Sequence, residues 1–335
     1  MLAKPKPKEE RTLDPVKLGF IGCGGNARWH MRNLAQVEGA QIVAVCDLVE
    51  ELAQQAARET GARPYTNLHA MLEAEELDAV YLSLPAHVHG EPEKAIIERG
   101  LPFFVEKPVA RHLETAREIE ALVRGKGLIT CVGYQLRYCG TTDLAQELLT
   151  DRTIGLAVGK YWCGSGRGDP AHWVRQWEKS GGQLVEQATH TIDLMRYLVG
   201  EIATVYCRQT SRFLSEIDCP DTNCVLFEFA NGALGSLTTS WAYEPRDWSH
   251  ANVIDILYDT SLLHWTAGVL IVTKEGQTTK HRPPGQSIDA VFVEAVRTGD
   301  GSAIRSPYSD AVKSLAVSLA ANESARQGRP VEVRV

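Results

Sequence analysis

The apolar run Val16 to Ile21 stops on Gly22-Cys23-Gly24-Gly25-Asn26-Ala27, and a helical pattern from Asn26 to Val37 follows at once. A short, wholly apolar run that breaks into glycines reads as a buried parallel strand. The same alternation continues. Gln41 to Cys46 reads as a strand and Val49 to Thr60 as a helix closed by Gly61. Ala79 to Leu84, Pro102 to Val105 and Leu128 to Val132 read as further strands, separated by helices at His89 to Arg99 and His112 to Arg124. Strands alternating with helices of this length require right-handed crossovers, so this half is predicted to be a doubly wound parallel sheet of the α/β class.

The pattern changes in the second half. A single helix is predicted over Gln183 to Val199, followed by strands at Ile202 to Thr210, Thr222 to Phe229, Ala233 to Trp241, Ile254 to Tyr258 and Val269 to Val272. Ala230-Asn231-Gly232 between two of them is a hairpin signal. Consecutive strands joined by tight turns predict a large, mostly antiparallel sheet. Helices at Ser287 to Arg297 and Tyr308 to Arg326 and a strand at Val331 to Val335 close the sequence. A length of 335 residues suits two domains. The predicted division is a Lys/Pro/Glu-rich flexible tail at 1–14, a nucleotide-binding domain at 15–135 and an α+β substrate and oligomerisation domain at 136–335.

Composition excludes several function classes. With 44% hydrophobic residues the chain has ample core, and a net charge of -7 leaves no broad basic field for nucleic acid. No apolar run approaches the roughly 18 residues of a membrane helix. The eight cysteines form no C-x-x-C pair, and Cys46, Cys131, Cys207 and Cys224 sit in strand-like runs. Reduced, buried thiols in a cytoplasmic protein are predicted, with neither disulfides nor a zinc site.

Three segments carry chemistry. The glycine turn has the G-x-G-x-x-G/A spacing: Gly22 for the tight turn, Gly24 for close approach of a pyrophosphate, and Ala27 for helix–strand packing. The N–H groups of the helix start, from Gly25 on, are free to meet phosphate. Asp47, about 20 residues on at the end of the second strand, is placed for a ribose hydroxyl, and its charge favours NAD over NADP. Glu106-Lys107-Pro108 ends the strand Pro102 to Val105, at the edge where open α/β sheets bind ligands. Glu106 is predicted to hold the Lys107 ammonium. The third segment runs from Gly181 to Asp193. On one helix, Glu186, His190 and Asp193 would share a face, while Leu184, Ala188, Met195 and Leu198 would form an apolar stripe. That face is either a solvated surface or a site, and the absence of a second His or Cys argues against a metal.

A fourth segment is read two ways. Tyr161 and Trp162 lead into a Gly-rich loop and then His172-Trp173-Val174-Arg175-Gln176-Trp177. Trp173 and Trp177 either pack a short helix or line a pocket for a polyhydroxylated ring, with Arg175 as a site contact.

The glycine turn, the Glu-Lys-Pro segment and the Gly-Gly helix with its histidine, in this order, resemble the Gfo/Idh/MocA family. Tyr134-Gln135-Leu136-Arg137-Tyr138 and Pro307-Tyr308-Ser309-Asp310 extend the likeness over nearly the whole chain. The resemblance implies a Rossmann domain and an open-sheet second domain that shapes the substrate site and forms subunit interfaces, hence a homodimer or homotetramer. It implies oxidation of a sugar, cyclitol or related polyol. Lys107 and His190 match the family's acid/base residues, and Glu186 stands where the family most often has Asp. Gly22, Cys23, Gly24, Gly25, Asn26, Ala27, Asp47, Leu84, Pro85, His89, Glu106, Lys107, Gln135 and Arg175 are expected at the cofactor. Lys107, Arg137, Trp162, Trp173, Glu186 and His190 are expected at the substrate. Two alternatives remain open: an NAD-dependent glycosidase or 3-keto-sugar-forming enzyme that recycles its cofactor, and a non-catalytic sugar-sensing regulator.

Overall fold

The computed structural model describes residues 15–243 and 252–335, so the predicted tail lies outside the described residues. The first unit runs β1 (Val16–Ile21), α1 (Gly25–Leu34), β2 (Ala40–Cys46), α2 (Glu50–Thr60), β3 (Arg63–Tyr65), α3 (Leu68–Ala74), β4 (Ala79–Leu82), α4 (Glu91–Glu98), β5 (Phe103–Val105), α5 (Leu113–Lys126) and β6 (Thr130–Val132). Its six strands are all parallel, in the order β3-β2-β1-β4-β5-β6. Every residue of β4 and β5 is buried, as expected of strands covered on both faces. The order reverses between β1 and β4, which opens a crevice at the carboxyl ends of the strands.

The second unit contains a 3-10 turn at Gln135–Tyr138, α6 (Gly140–Leu149), β7 (Ile154–Trp162), α7 (Trp177–Ser180), α8 (Gln183–Glu186), α9 (Thr189–Val199), β8 (Ile202–Thr210), β9 (Thr222–Phe229), β10 (Leu234–Ser240), β11 (Asn252–Tyr258), β12 (Ser261–Trp265), β13 (Leu270–Lys274), β14 (Gln277–His281), α10 (Ile288–Thr298), α11 (Tyr308–Gln327) and β15 (Val331–Glu332). Nine of these strands form one sheet, β14-β13-β12-β11-β7-β10-β9-β8-β15, antiparallel except between β7 and β10. The Asn231-Gly232 hairpin joins β9 to β10. Gly232 sits at φ +87°, a left-handed conformation that favours glycine.

Three differences from the sequence reading matter for the site. The helix predicted over Gln183 to Val199 is two helices, broken at Gln187 (φ -124°, ψ -48°). The Gln187 side chain is drawn toward the second sheet: its Oε1 accepts from Trp241 Nε1 and Cys163 Sγ, and its Nε2 donates to Ser165 Oγ. The second difference is the path of the chain. Ile288, Phe292, Val293 and Ala295 of α10 join the core beneath α1, β1 and β4, so part of the segment assigned to the second domain packs on the first sheet. Third, Cys224, predicted to be buried, is exposed on the outer face of β9.

A buried ionic network ties the units together. Arg137 grips Asp193 of α9 with Nε and Nη2 at 2.8 and 2.6 Å, contacts Asp310 of α11, and donates to the Arg305 carbonyl. Ser314 Oγ donates to the same Asp193 at 2.7 Å. Arg196 joins Asp310 and Glu201. Among the described residues, no helix is long and apolar enough to cross a membrane.

Removing one partner of a buried ion pair strands the other in a poorly solvating interior. Arg137→Leu, which takes the bidentate partner from Asp193 and leaves Asp310 to Arg196, should lower stability by about 3 kcal/mol in urea unfolding.

Candidate active site

The glycine turn crosses the carboxyl edge of the first sheet. Gly22 has φ +89°, and a Cβ there would lie 2.2 Å from the Ser83 carbonyl oxygen, so only glycine fits. Cβ atoms at Gly24 and Gly25 would meet nothing within 4 Å, which leaves the turn open to an approaching group. The first turn of α1 has neither an acidic residue nor a side-chain cap, so its N–H groups and partial positive charge face outward. Asp47 is fixed against this turn: its Oδ2 accepts from the Cys23 N–H at 2.8 Å and its Oδ1 from the Val49 N–H at 2.9 Å. Burial and then the Asp47 charge push the Cys23 thiol up to about 12, so it is neither nucleophilic nor charged. These features suit a pyrophosphate at the turn and a ribose hydroxyl at Asp47.

Lys107 follows β5 on the same edge. Its Nζ donates to the Glu186 carbonyl at 2.7 Å and to Glu186 Oε1 at 3.3 Å. The predicted pairing with Glu106 is therefore corrected. Glu106 turns the other way: Oε1 lies 2.8 Å from His30 Nε2, and Oε2 accepts the Lys107 backbone N–H at 3.1 Å.

Gly181 and Gly182, at φ +76° and +75°, swing the chain from α7 into α8 and bring Glu186 over Lys107. Gln183 anchors α8 by accepting from Asn223 and Thr239 of the second sheet. His190 sits in the first turn of α9, edge-on to Tyr134 with ring centroids 6.1 Å apart. Burial, and then the Lys107 charge, hold its pKa well below the ordinary histidine value, so the ring is neutral at neutral pH. Two buried polar atoms here, Glu186 Oε2 and His190 Nδ1, have no partner among the described residues.

His89, at the start of α4, is also at this edge. Its Nδ1 pairs with Glu93, and its buried Nε2 has no partner among the described residues. Leu84, Pro85 and Gln135 are half-buried on the same rim. Trp173 leans over it, 6.4 Å from His87 ring to ring.

Four other residues behave differently from the sequence reading. Asp193, predicted on one face with Glu186 and His190, is engaged by Arg137 and Ser314. Arg137 is only 3% exposed, with all its nitrogens engaged by Asp193, Asp310 and the Arg305 carbonyl, so it is a structural cross-link rather than a substrate contact. Trp162 lies on the outer face of the nine-stranded sheet beside Lys160, because strand alternation sends Tyr161 inward and Trp162 outward. Arg175, expected at the cofactor, donates to the carbonyls of Gly166, Arg167 and Asp169 and folds their loop. Tyr161 points inward to the core of the second unit, near enough to Glu186 to feel its charge. Its phenol is pushed well above the usual range by burial and by Cys163 and Glu186, and β7 alternation was the signal for it.

Comparison with known proteins agrees with this geometry. Residues 16–134 match the Gfo/Idh/MocA profile described as an oxidoreductase family with an NAD-binding Rossmann fold, and 144–257 match a C-terminal domain of the same family. The chain belongs to the Gfo/Idh/MocA oxidoreductase family. It is 28% identical to scyllo-inositol 2-dehydrogenase (NAD(+)) of Bacillus subtilis (strain 168), over 96% of this chain and 97% of that protein. It is 26% identical to D-apiose dehydrogenase of Paraburkholderia graminis, over 96% and 91%. A levoglucosan dehydrogenase solved with NADH and L-sorbose superposes with a TM-score of 0.86 at 22% identity, covering 96% of this chain and all (100%) of that one, which shows the shared fold.

A histidine held neutral in the folded state takes up a proton only on unfolding, so it costs stability as pH falls below about 6.5. The acid-side loss of stability between about pH 6.5 and 5 should therefore be shallower in His190→Gln than in the wild type, measured as the urea midpoint against pH.

Proposed function

We propose that this protein oxidises a secondary hydroxyl of a sugar, cyclitol or related polyol, with NAD as hydride acceptor and with Lys107 and His190 in acid/base roles. The observation that carries the reading is the cluster at the β5 edge. The buried Lys107 ammonium pairs with Glu186 Oε1 and its charge reaches His190, while Glu186 Oε2 and His190 Nδ1 are buried without a partner among the described residues. Leaving such atoms unpaired costs about 1 to 3 kcal/mol each, a cost that a polyhydroxylated ligand removes. The relatives named for inositol and apiose oxidation support the same substrate class.

The glycine turn and Asp47 would hold the cofactor, with Leu84, Pro85, His89 and Gln135 along the rim. NAD, when bound, supplies the two-electron acceptor for hydride. Lys107 donates a hydrogen bond to the reacting oxygen and so lowers the cost of negative charge there. His190, unprotonated at neutral pH, takes the hydroxyl proton at a ring nitrogen. The burial that keeps the ring neutral also weakens it as a base, and Lys107 offsets this by making the hydroxyl more acidic. Glu186 accepts from a neighbouring hydroxyl through Oε2, and Trp173 covers the ring from the loop side.

The test is Lys107→Met, assayed for NADH formation across a panel of inositols, aldoses and glycosides, with free sugar measured in parallel. Loss of about 10²- to 10⁴-fold in kcat with NADH affinity retained is the expected outcome. Near-normal turnover on the wild type's best substrate would defeat the Lys107 role. Sugar release without net NADH would point instead to the glycosidase.

The outer face of the second sheet exposes Leu156, Val158, Trp162, Leu226, Leu257 and Leu262. A contiguous apolar face of this kind is rare on a monomer, and we assign it to a second copy of this chain. Leu226→Lys should lower the mass measured by sedimentation without abolishing NADH binding.

A further inference from the structure

His30 lies on α1, one turn beyond the glycine turn, and is only 1% exposed. Its Nδ1 is 2.6 Å from Asp289 Oδ1 of α10, and its Nε2 is 2.8 Å from Glu106 Oε1. Carboxylates only accept, and a neutral imidazole has one N–H, so a ring bonded to two ionised carboxylates is an imidazolium. Burial alone would lower its pKa. The hydrogen bonds and charges of Asp289 and Glu106 override burial and raise it to about 9.

The groups that act most strongly on the ring, besides burial, are these two carboxylates. Tyr81 of β4 and Phe104 of β5 pack on the ring, and Phe292 of α10 closes over those two. The Cys131 thiol of β6 is kept protonated by burial, and the Tyr81 phenol likewise. Asn33 of α1 donates to the second oxygen of Asp289 at 3.1 Å. Glu106 is thus fixed on three sides: by His30, by the Lys107 N–H, and by Gly133, where a Cβ would sit 2.8 Å from its Oε1.

We propose that His30 is a positioning residue for Lys107: held between Asp289 and Glu106, it keeps the Glu106 carboxylate turned from the ammonium, and through Glu106 it pins the Lys107 backbone. The inference rests on Lys107 acting as proposed above, so its test reads Lys107 directly as well as turnover. It also gives the returning α10 a function. Asp289 comes from 259 residues downstream of His30, and the triad couples that return to the orientation of the site lysine.

The variant is His30→Gln with Asp289→Asn. Two carboxylates and one imidazolium become one carboxylate and two amides, so the buried net charge stays at one negative and folding is preserved. Brief labelling with acetic anhydride, read by mass spectrometry as Lys107 relative to the exposed Lys280, reports whether the Lys107 ammonium is still held on Glu186. Labelling of Lys107 is expected to rise severalfold, with thermal unfolding and NADH affinity little changed and kcat down about tenfold or more. Unchanged labelling in the folded variant overturns the proposal. Raised labelling with unchanged kcat supports it and counts instead against Lys107 as the acid/base group. A readout without any variant guards against misfolding: in the wild type, the Lys107 to Lys280 ratio should climb as His30 loses its proton around pH 9. A flat ratio across that range also overturns it.

Discussion

The Lys107 ammonium is buried, and its hydrogen bond to the Glu186 carbonyl crosses from the parallel sheet to the helix that the second sheet supports. A buried ammonium must be surrounded by acceptors or it loses its charge. That requirement sets how closely the two units approach and which face of α8 turns toward β5. Gln183 and Gln187 then tie α8 and its exit to the nine-stranded sheet, so the site geometry depends on both sheets together.

Behind the cleft, the charged groups that never meet a ligand are satisfied by each other. Arg137, Asp193, Arg196 and Asp310 bind α9 to α11, and α11 itself is buried around much of its circumference between the two cores. His30, Glu106 and Asp289 do the same on the opposite side of the first sheet. Paired buried charges contribute little net stability, but they are strict about geometry. In a hydride-transfer site, where small misplacements are costly, that strictness serves positioning more than stability.

The first sheet was legible because its signals are local: apolar runs, glycine turns and helical spacing fall within windows of a dozen residues. β3 and α3 escaped notice because a three-residue strand of Arg63, Pro64 and Tyr65 carries no apolar run. In the second unit β14, made of Gln277-Thr278-Thr279-Lys280-His281, is an edge strand with almost no buried residue, so no hydrophobic period marks it. Lys107, Glu186 and His190 are singled out by motif; in the structure Lys107 pairs with Glu186 and its charge reaches His190. What the motif misassigned were the partners. Glu106 pairs with His30, which also holds Asp289, and Asp193 pairs with Arg137; none of these pairings has a signature in sequence separation. Trp162 is a different kind of error, since period-2 alternation from the buried Tyr161 already sends it to the outer face.

The proposed reaction passes a carbinol hydrogen as hydride from a polyol at the Lys107–His190 cleft to NAD. The most direct measurement is isotope transfer with C-deuterated cyclitols and aldoses and unlabelled NAD, followed by mass spectrometry of the nicotinamide product. The account predicts deuterium on the reduced cofactor, with its appearance slowed by the label and lost in Lys107→Met. Conversion of the substrate with the label found only in water, or retained on the sugar, would contradict it.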